Sequence, residues 1–366
     1  MRRHGLVLLL FLSLTGLLAH CARQDGVQHP SAHPLVQPAA DFESRFHTGE
    51  GGWTGGDGTL SVPLPDGRTV WLFGDSFLGT VAPDGSRGKD APFVRNCLLV
   101  QDGSALETRC RAPDGGGADA FPAEAPDAWY WPAHGLATGG HLLVFLHRFQ
   151  STGDRLWQWR WTGNALARLD LPGLERMSIQ AAPSDNAILY GVSLVQGDGV
   201  VYIFGIDDQA VPQQAHLARA PPAHLHGPWE YYDGRGWSPE PAATRPILGG
   251  VSTQYGVLVA RGRFYLFTMD GRRPFSRRLV VYRADRPEGP WQGPLRLYTA
   301  PGDHAGAAVY NPFVHPQFGD HQRALVSYNR NPIDDPDAVY RNADLYRPAF
   351  LWVDLAAVDR YWSDVR

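Results

Sequence analysis

The sequence is short of charge, and lysine is almost absent from it. Charged residues make up 19% of the 366 residues, and Lys89 is the single lysine among many arginines. The 37 acidic side chains nearly balance the 33 basic ones, which leaves a net charge of −4. Because no basic run stands out either, the composition argues against a nucleic-acid partner.

Long apolar runs are equally scarce. The run over residues 6–19 has fourteen members, fewer than the roughly 20 that a helix needs to cross a bilayer. It follows a cationic start at residues 1–4, which is the form of a secretory signal. Residues 17–21 resemble a bacterial lipobox in which Cys21 would be lipidated, although His20 stands where small residues are usual. We therefore expect an exported protein, either freely secreted or anchored at the cell surface as a lipoprotein.

The predicted order of segments follows from that signal. Residues 1–21 form the signal, and residues 22–41 lack apolar periodicity, which predicts a flexible tether. Residues 42–366 then make up one folded domain. A hydrophobic fraction of 43% is ample for the core of a domain of this size.

Cysteine occurs only three times. Cys21 belongs to the signal, while Cys97 and Cys110 flank a segment whose turn is predicted at residues 102–105. On such a hairpin they face each other, and directly opposed residues have Cα atoms ~4.5–5.5 Å apart, which is compatible with a disulfide. Export beyond the reducing cytosol favours that bond. Two reduced core cysteines are the alternative, and a zinc site has too few ligands here.

Glycine (41), proline (30) and tryptophan (12) are plentiful instead. They belong to a recurring unit of strand, tight turn and strand. Its five turns fall at residues 66–67, 139–140, 197–199, 261–262 and 319–320. Asp-Gly-type turns are strong hairpin signals, and no long helical period follows the signal. The pattern predicts an all-β fold, a five-bladed β-propeller; a pair of β-sandwiches is the alternative, which the regular spacing disfavours.

Two carboxylates are predicted to meet at one rim of the first unit. Centring its hairpin on residues 66–67 places residue 58 opposite residue 75, so Asp57 and Asp75 return to the same rim. Close carboxylates resist simultaneous ionisation, which raises one pKa and can create an acid/base pair. The alternative is that both cap backbone amides in Gly-rich turns. Asp185, on another rim, is a third candidate for the catalytic set.

Aromatic and polar side chains on the rims form the predicted substrate-binding set. Rings with a polar edge offer flat faces and hydrogen-bonding tips, which suit sugar rings. The set comprises Trp53, Trp129, Trp131, His134, Gln254, Tyr255, Asn311 and His315. Packing between blades is the alternative for Trp129 and Trp131, and a hydrogen-bonded core position is the alternative for the two histidines. No cofactor is predicted, although His315 could line the propeller axis beside a water or a structural metal ion.

Several of these segments together resemble a known family. Residues 52–58, 71–77, 129–132 and 326–329 resemble secreted bacterial propellers long labelled as a domain of unknown function, whose relatives include endo-D-arabinanases. More distantly, the chain is similar to the five-bladed arabinanase, xylosidase and invertase glycosidases. The resemblance implies a glycoside hydrolase in which Asp57 is the base or nucleophile and Asp75 its partner.

One position departs from that family pattern. Gln254 stands in the fourth unit where an acidic residue would be expected, and glutamine cannot donate a proton as a general acid. Either Asp75 or Asp185 then takes that role, or the protein only binds glycans.

We therefore expect an exported, monomeric glycoside hydrolase that acts on a cell-envelope or plant glycan, for example a furanoside such as arabinan. Its partner would be carbohydrate, and it would meet a membrane only through a lipid anchor. A non-catalytic glycan-binding propeller lipoprotein is the second hypothesis, and a surface scaffold without a ligand is the third.

Overall fold

The computed structural model describes residues 35–48, 51–110, 116–153, 158–184, 186–301 and 307–364. The predicted signal with Cys21, residues 22–34 of the predicted tether and Asp185 lie outside these ranges. The described residues belong to one unit, Pro34–Arg366. None of the helices in this part of the chain has the length and apolar character needed to cross a membrane.

Strands make up most of the regular structure. In chain order they are β1 (Val36–Pro38), β2 (Gly52–Gly56), β3 (Leu60–Pro63), β4 (Thr69–Phe73), β5 (Ser76–Gly79), β6 (Phe93–Val94), β7 (Cys97–Asp102), β8 (Ala105–Thr108), β9 (Ala128–Thr138), β10 (His141–Ser151), β11 (Trp159–Asp170), β12 (Glu175–Ala181), β13 (Leu189–Gly197), β14 (Val200–Asp207), β15 (Gln214–Ala220), β16 (Glu230–Tyr232), β17 (Trp237–Ser238), β18 (Leu248–Gly249), β19 (Gly256–Ala260), β20 (Arg263–Met269), β21 (Arg278–Ala284), β22 (Gln292–Thr299), β23 (Ala307–His315), β24 (Arg323–Pro332) and β25 (Ala349–Asp354). The α-helices are α1 (Ala40–Glu43), α2 (Ala338–Arg341) and α3 (Leu355–Asp364). Short 3₁₀ turns lie at Ser44–Phe46, Pro222–His224, Pro241–Ala243, Pro316–Phe318 and Ala343–Tyr346.

Within the described ranges these strands form six sheets. The first sheet is β3-β4-β7-β8, the second β9 to β12, the third β13 to β17 with β18 beside β15, and the fourth β19 to β22. The fifth sheet consists of β23, β24 and β25 and is completed by β1. A small sixth sheet of β2, β5 and β6 adjoins the first, because β2 leads into β3 and β4 leads into β5. The predicted all-β class is thus confirmed.

The two ends of the folded unit differ from the prediction. Residues 36–41 were assigned to a tether, but β1 pairs with β25, with Val36 opposite Val353. The main-chain hydrogen bonds of this pairing order a segment that has no apolar period. No long helical period was found after the signal, yet at the C-terminal end the ten-residue helix α3 buries Leu355, Val358 and Trp362. Their spacing of three and four residues is that of an amphipathic helix, but it extends over too few residues to stand out in the sequence.

Hydrophobic contacts between neighbouring sheets build the core. Phe149 of the second sheet shares one buried cluster with Phe204 of the third and Leu266 of the fourth. Phe267 of the fourth sheet shares another with Val326 of the fifth. Each of these strands is buried along most of its length, so the sheets support one another from face to face.

A disulfide closes the β7–β8 hairpin. Leu99 pairs with Thr108, and two residues further along the same register Cys97 is bonded to Cys110 with their Cα atoms 5.1 Å apart. The predicted hairpin and its bond are both confirmed. The bond fixes the start of β7, and Arg95 lies two residues before it.

Candidate active site

Asp57 and Asp75 lie at the junction between the first sheet and the small sixth sheet. Asp57 stands between β2 and β3, and Asp75 stands between β4 and β5. The main-chain nitrogen of Asp57 donates to the carbonyl oxygen of Asp75 at 3.2 Å, and that of Gly74 donates to the carbonyl of Asp57 at 2.7 Å. The same local fold of the first hairpin therefore brings the two carboxylates together.

The register at this junction differs by one residue from the prediction. The sequence placed residue 58 opposite residue 75, whereas Leu60 pairs with Leu72 and the main chain of Asp57 bonds to that of Asp75. Gly58 and Thr59 have φ angles of 94° and 39°, so the chain leaves the strand conformation between Asp57 and β3. The one-residue difference arises at the turn, where the main-chain nitrogen of Leu64 donates to the carbonyl of Arg68 and so centres the hairpin on Asp66.

Gly74 and Asp75 both bond to the main chain of Asp57, and the pairing register is the same on either side of this junction. A Cβ atom on Gly74 would stand 2.8 Å from Oδ1 of Asp57. Glycine is therefore required at position 74 for the Asp57 side chain to keep its place.

Two phenols hold the Asp57 carboxyl. The hydroxyls of Tyr310, on β23, and of Tyr346, in the last 3₁₀ turn, donate to Oδ2 of Asp57 at 2.7 and 3.0 Å. Burial raises the pKa of Asp57 above its usual range, and the two phenol hydrogen bonds oppose that rise because they stabilise the ionised form.

Asp75 has a different set of partners. Nε1 of Trp131 donates to its Oδ1 at 2.8 Å, and Nη1 of Arg95 donates to its Oδ2 at 3.0 Å. Burial, and then the negative charge of Asp57, raise the pKa of Asp75 to about 7, while Arg95 and Trp131 oppose the rise. Its side chain keeps 20% of its surface exposed, so a solute can reach it.

The pair therefore consists of two carboxyls with unequal acidity. We infer that Asp57 ionises first, because two phenols donate to its carboxyl and favour its charged form, and that charge then raises the pKa of Asp75. Near neutral pH Asp57 can accept a proton or attack as a nucleophile, while Asp75 still holds a proton to give away. Two carboxyls whose surroundings push their pKa values apart have the form of an acid/base pair.

The loop that carries Asp57 is fixed from the fifth sheet. Nδ2 of Asn329, a buried residue on β24, donates to Oγ1 of Thr59 at 3.0 Å and to the carbonyl of Gly56 at 3.4 Å. Gln254, which is half-buried, donates through Nε2 to the carbonyl of Gly58 at 2.7 Å. Gln254 thus lies against the same loop, and its side-chain amide holds the main chain of that loop in place.

Trp131 is the predicted binding residue that contacts the aspartate pair. It is half-buried, and its ring centroid lies 4.5 Å from that of Phe149 and 5.2 Å from that of Trp159. Trp129, by contrast, is buried beneath the guanidinium of Arg95, whose Cζ lies 4.5 Å from its ring centroid. The packing alternative therefore describes Trp129, and its predicted contact with substrate is wrong.

Two other predicted aromatic contacts are also wrong, because their polar tips are used inside the core. Trp53 is 1% exposed, and its Nε1 donates to Oγ of Ser76 at 3.2 Å. Tyr255 is fully buried and donates its hydroxyl to the carbonyl of Gly205 at 2.7 Å. Neither ring offers a face to a ligand.

The two predicted histidines are core residues as well. His134 is buried and its Nδ1 accepts from the main-chain nitrogen of Leu194 at 2.9 Å. His315 lies between Oγ of Ser61 and Oγ of Ser327 at 2.7 and 2.9 Å. Burial lowers the pKa of His134 to about 4 and that of His315 to about 3, so both are neutral at pH 7. Their predicted contact with substrate is wrong, since serine and main-chain groups occupy their ring nitrogens.

The remaining predictions are resolved in part. Asn311 is half-buried with φ at 50°, at the register shift of β23 that follows Tyr310. Its predicted contact with substrate stays a prediction. Among the described residues, no group of three or more His, Cys, Asp or Glu side chains could hold a metal ion. Asp185 lies outside them.

The sequence did not single out three residues that touch the pair. Arg95 and Tyr346 are not marked by any motif around them, and Tyr310 stands beside Asn311 at the start of the fifth repeat unit without having been assigned to the binding set. Tyr346 is 289 residues from Asp57 along the chain, and only closure of the fifth sheet against the first brings it close. The sequence offers one weak signal for such residues, a polar side chain beside a predicted strand end. Many positions in the chain meet that description.

Comparison with known proteins identifies the family to which the chain belongs. A family model described as "Domain of unknown function (DUF5005)" matches residues 40–355. The chain belongs to this family. The predicted membership of a family labelled as a domain of unknown function is thereby confirmed, and no curated protein matches the DUF5005 chain.

Several solved structures are similar to this DUF5005 protein, and the first of those named here shares its fold. A candidate hydrolase from Bacteroides ovatus ATCC 8483 is 23% identical, with 89% of this chain and 93% of its own covered and a TM-score of 0.74. An exo-beta-1,3-galactanase from Phanerochaete chrysosporium is 10% identical over 81% of this chain and 60% of its own, with a TM-score of 0.48. An alpha-L-arabinofuranosidase from Podospora anserina is 10% identical over 82% and 91%, with a TM-score of 0.45.

Proposed function

We propose that this DUF5005 protein is a glycoside hydrolase whose catalytic carboxyls are Asp57 and Asp75. The observation that carries the proposal is the pairing of two aspartates by main-chain hydrogen bonds, with one carboxyl held by phenols and the other by Arg95 and Trp131. The first five sheets are the blades of a five-bladed propeller in this proposal, and the pair lies at the rim of the first blade.

The two carboxyls have separate tasks. Asp57 is the base or nucleophile, because it ionises first and its Oδ1 atom has no phenol bound to it. Asp75 is the acid, because a pKa of about 7 keeps it protonated in weakly acidic solution, where an ordinary aspartate has lost its proton. It donates its proton to the glycosidic oxygen as the bond to the leaving sugar breaks. Arg95 then stabilises the carboxylate that Asp75 becomes.

The substrate class is a glycan of the cell envelope or of plants, for example a furanoside such as arabinan. The half-buried ring of Trp131 binds Asp75, and that of Trp159 packs against Trp131. These rings support a sugar ligand because indole faces pack against the apolar faces of sugar rings. A protein exported from the cell can reach such polymers. The apolar run at residues 6–19 and the Cys97–Cys110 disulfide support that location.

A panel of polysaccharides tests the reaction. The purified chain is incubated with arabinan, galactan and arabinogalactan, and new reducing ends are measured together with the anomer that NMR detects first. We expect Asp57→Asn and Asp75→Asn to lower turnover by about 10²–10⁴-fold, the usual contribution of a positioned acid or base. Asp66→Asn, in the exposed turn of the same hairpin, is the matched control and should keep full activity. Full activity in Asp57→Asn would refute the assignment.

A non-catalytic glycan-binding protein is the second candidate. It is favoured by one observation: both oxygens of Asp75 accept hydrogen bonds from the protein, from Trp131 and Arg95. In that case the panel releases no reducing ends, whereas affinity electrophoresis with the same polysaccharides detects binding that survives loss of both aspartates.

A further inference from the structure

Two tyrosines from distant parts of the chain converge on one carboxyl oxygen. Tyr310 comes from β23 at the point where its register shifts, and Tyr346 comes from the end of the last 3₁₀ turn. Both donate to Oδ2 of Asp57. A turn carboxylate that only caps local main chain would not draw one donor from β23 and another from the 3₁₀ turn between β24 and β25.

We propose that Tyr310 and Tyr346 are positioning residues that hold Asp57 by its Oδ2 atom, so that Oδ1 is the oxygen that meets the substrate. This inference rests on the proposed function and adds to it the atom of Asp57 that reacts and the groups that select it.

The direction of Oδ1 supports this selection. A Cβ atom built on Gly74 would lie 2.8 Å from Oδ1 of Asp57 and 3.4 Å from Cδ1 of Trp131. The oxygen without a phenol therefore lies on the side of Gly74, Asp75 and Trp131. Because Nε1 of the same indole binds Asp75, Trp131 borders both carboxyls. A sugar bound beside Trp131 would meet Oδ1 of Asp57 and the carboxyl of Asp75 together.

The same two hydrogen bonds separate the acidities of the pair. Phenol donors stabilise the ionised form of Asp57 and so keep its pKa from rising further. The other ionisable groups around Asp57 are Asp75, with Arg95 beyond it, and a pair of arginines that share the carbonyl of Thr54. Arg87 and Arg347 donate to that carbonyl at 3.0 and 2.9 Å, three residues before Asp57.

Carboxyl titration by NMR tests the proposal without any substrate. Protein with ¹³C-labelled aspartate is titrated as wild type, Tyr310→Phe, Tyr346→Phe and the double variant, with the Asp57 signal assigned by its loss in Asp57→Asn. We expect each phenylalanine to raise the pKa of Asp57 by about one pH unit, since a hydrogen bond to a charged group contributes about 1.5–3 kcal/mol. The pKa of Asp75 should fall in the double variant, because the neighbouring charge is then absent.

Tyr340→Phe is the matched control. Tyr340 packs in the same small cluster as Tyr346 and Phe77, and no contact described for it reaches Asp57. Its variant should leave both titrations unchanged. An unchanged Asp57 pKa in either folded single variant would overturn the proposal, so the test stands even where the double variant does not fold.

Kinetics separate this inference from the proposed function. On a polysaccharide that the wild type cleaves, the single variants should lower kcat by at least tenfold and move the acidic limb of the pH profile to higher pH, with KM little changed. Wild-type kcat in both variants would overturn the positioning role while the proposed function stood. Shifted titrations in a protein that cleaves no polysaccharide would instead remove the proposed reaction and leave the selection of Oδ2 by the phenols intact.

Discussion

The main-chain nitrogen of Asp57 donates to the main-chain carbonyl of Asp75, so the backbone sets the spacing of the two carboxyls. A contact between side chains would change whenever either carboxyl gained or lost a proton. A main-chain bond does not, and it keeps the pair together in every protonation state. This suits a pair in which each carboxyl can gain or lose a proton during one reaction.

Gly74→Ala is predicted to damage the site while leaving the fold in place. The added methyl group would stand 2.8 Å from Oδ1 of Asp57, a distance that forces the carboxyl to move. Because displacement of a reacting group by about 1 Å can cost about 10²-fold in rate, we expect a loss of that order in kcat. Turnover on the polysaccharide that the wild type cleaves is the measurement.

Gly236→Ala provides the control for that experiment. A Cβ atom at position 236 would meet no atom within 4 Å. Its variant should match the wild type in turnover and in thermal unfolding. Equal turnover in Gly74→Ala and Gly236→Ala would mean that Oδ1 of Asp57 has no part in the reaction.

Trp131→Phe is predicted to raise the pKa of Asp75. Nε1 of Trp131 donates to Oδ1 of Asp75 and thereby favours the ionised form, so a ring without that donor leaves the proton more tightly bound. The alkaline limb of the pH–activity profile, which reports loss of the acid's proton, should move above its wild-type position near pH 7. Trp159→Phe retains the Trp131 donor and should leave the limb in place. A limb that stays fixed in Trp131→Phe would contradict the assignment of Asp75 as the acid.

The sequence predicts the parts of this fold that have strong local signals. It does not predict those features of the candidate site that depend on contacts between distant segments. The turn at residues 261–262 links β19 and β20 as predicted, because glycine in a two-residue turn is a local signal. The approach of Asp57 to Asp75 follows from a short hairpin, yet the predicted register was wrong by one residue because the turn between Leu64 and Arg68 is centred on a single residue, Asp66. Tyr255 has the side chain of a sugar-binding residue, and only the packing of the third and fourth sheets buries it.

Loss of the disulfide is predicted to lower stability more than activity. The Cys97–Cys110 bond closes a segment with a sequence separation of 13 residues. Opening the bond raises the conformational entropy of the unfolded chain and thereby lowers the free energy of unfolding by about 3 kcal/mol. We expect the Cys97→Ser/Cys110→Ser variant to lose about 2–4 kcal/mol in urea unfolding. At low temperature its turnover should stay within a few-fold of the wild type, because the sheet still holds Arg95. Unchanged stability on reduction and on substitution would contradict this prediction.

Asp75→Asn is predicted to make the protein more stable at alkaline pH at the expense of activity. The folded state raises the pKa of Asp75 from 3.8 to about 7, so between those values it holds a proton that the unfolded chain releases. The free energy of unfolding therefore falls as pH rises through this window, and the loss is complete above about pH 7. A shift of about three pH units corresponds to at most about 4 kcal/mol, and asparagine removes this penalty because it never ionises.

Urea unfolding of the wild type and of Asp75→Asn at pH 5 and pH 8 measures the effect. The variant's advantage should be greater at pH 8 by about 1–4 kcal/mol. Burial lowers the pKa of His134 and of His315, and these residues destabilise the folded state on the acidic side. Because both proteins contain them, their contribution cancels in the difference. Asp66→Asn should show no such gain, since Arg68 lowers the pKa of Asp66. An equal difference at the two pH values would mean that Asp75 is already ionised at pH 5 and is not the proton donor.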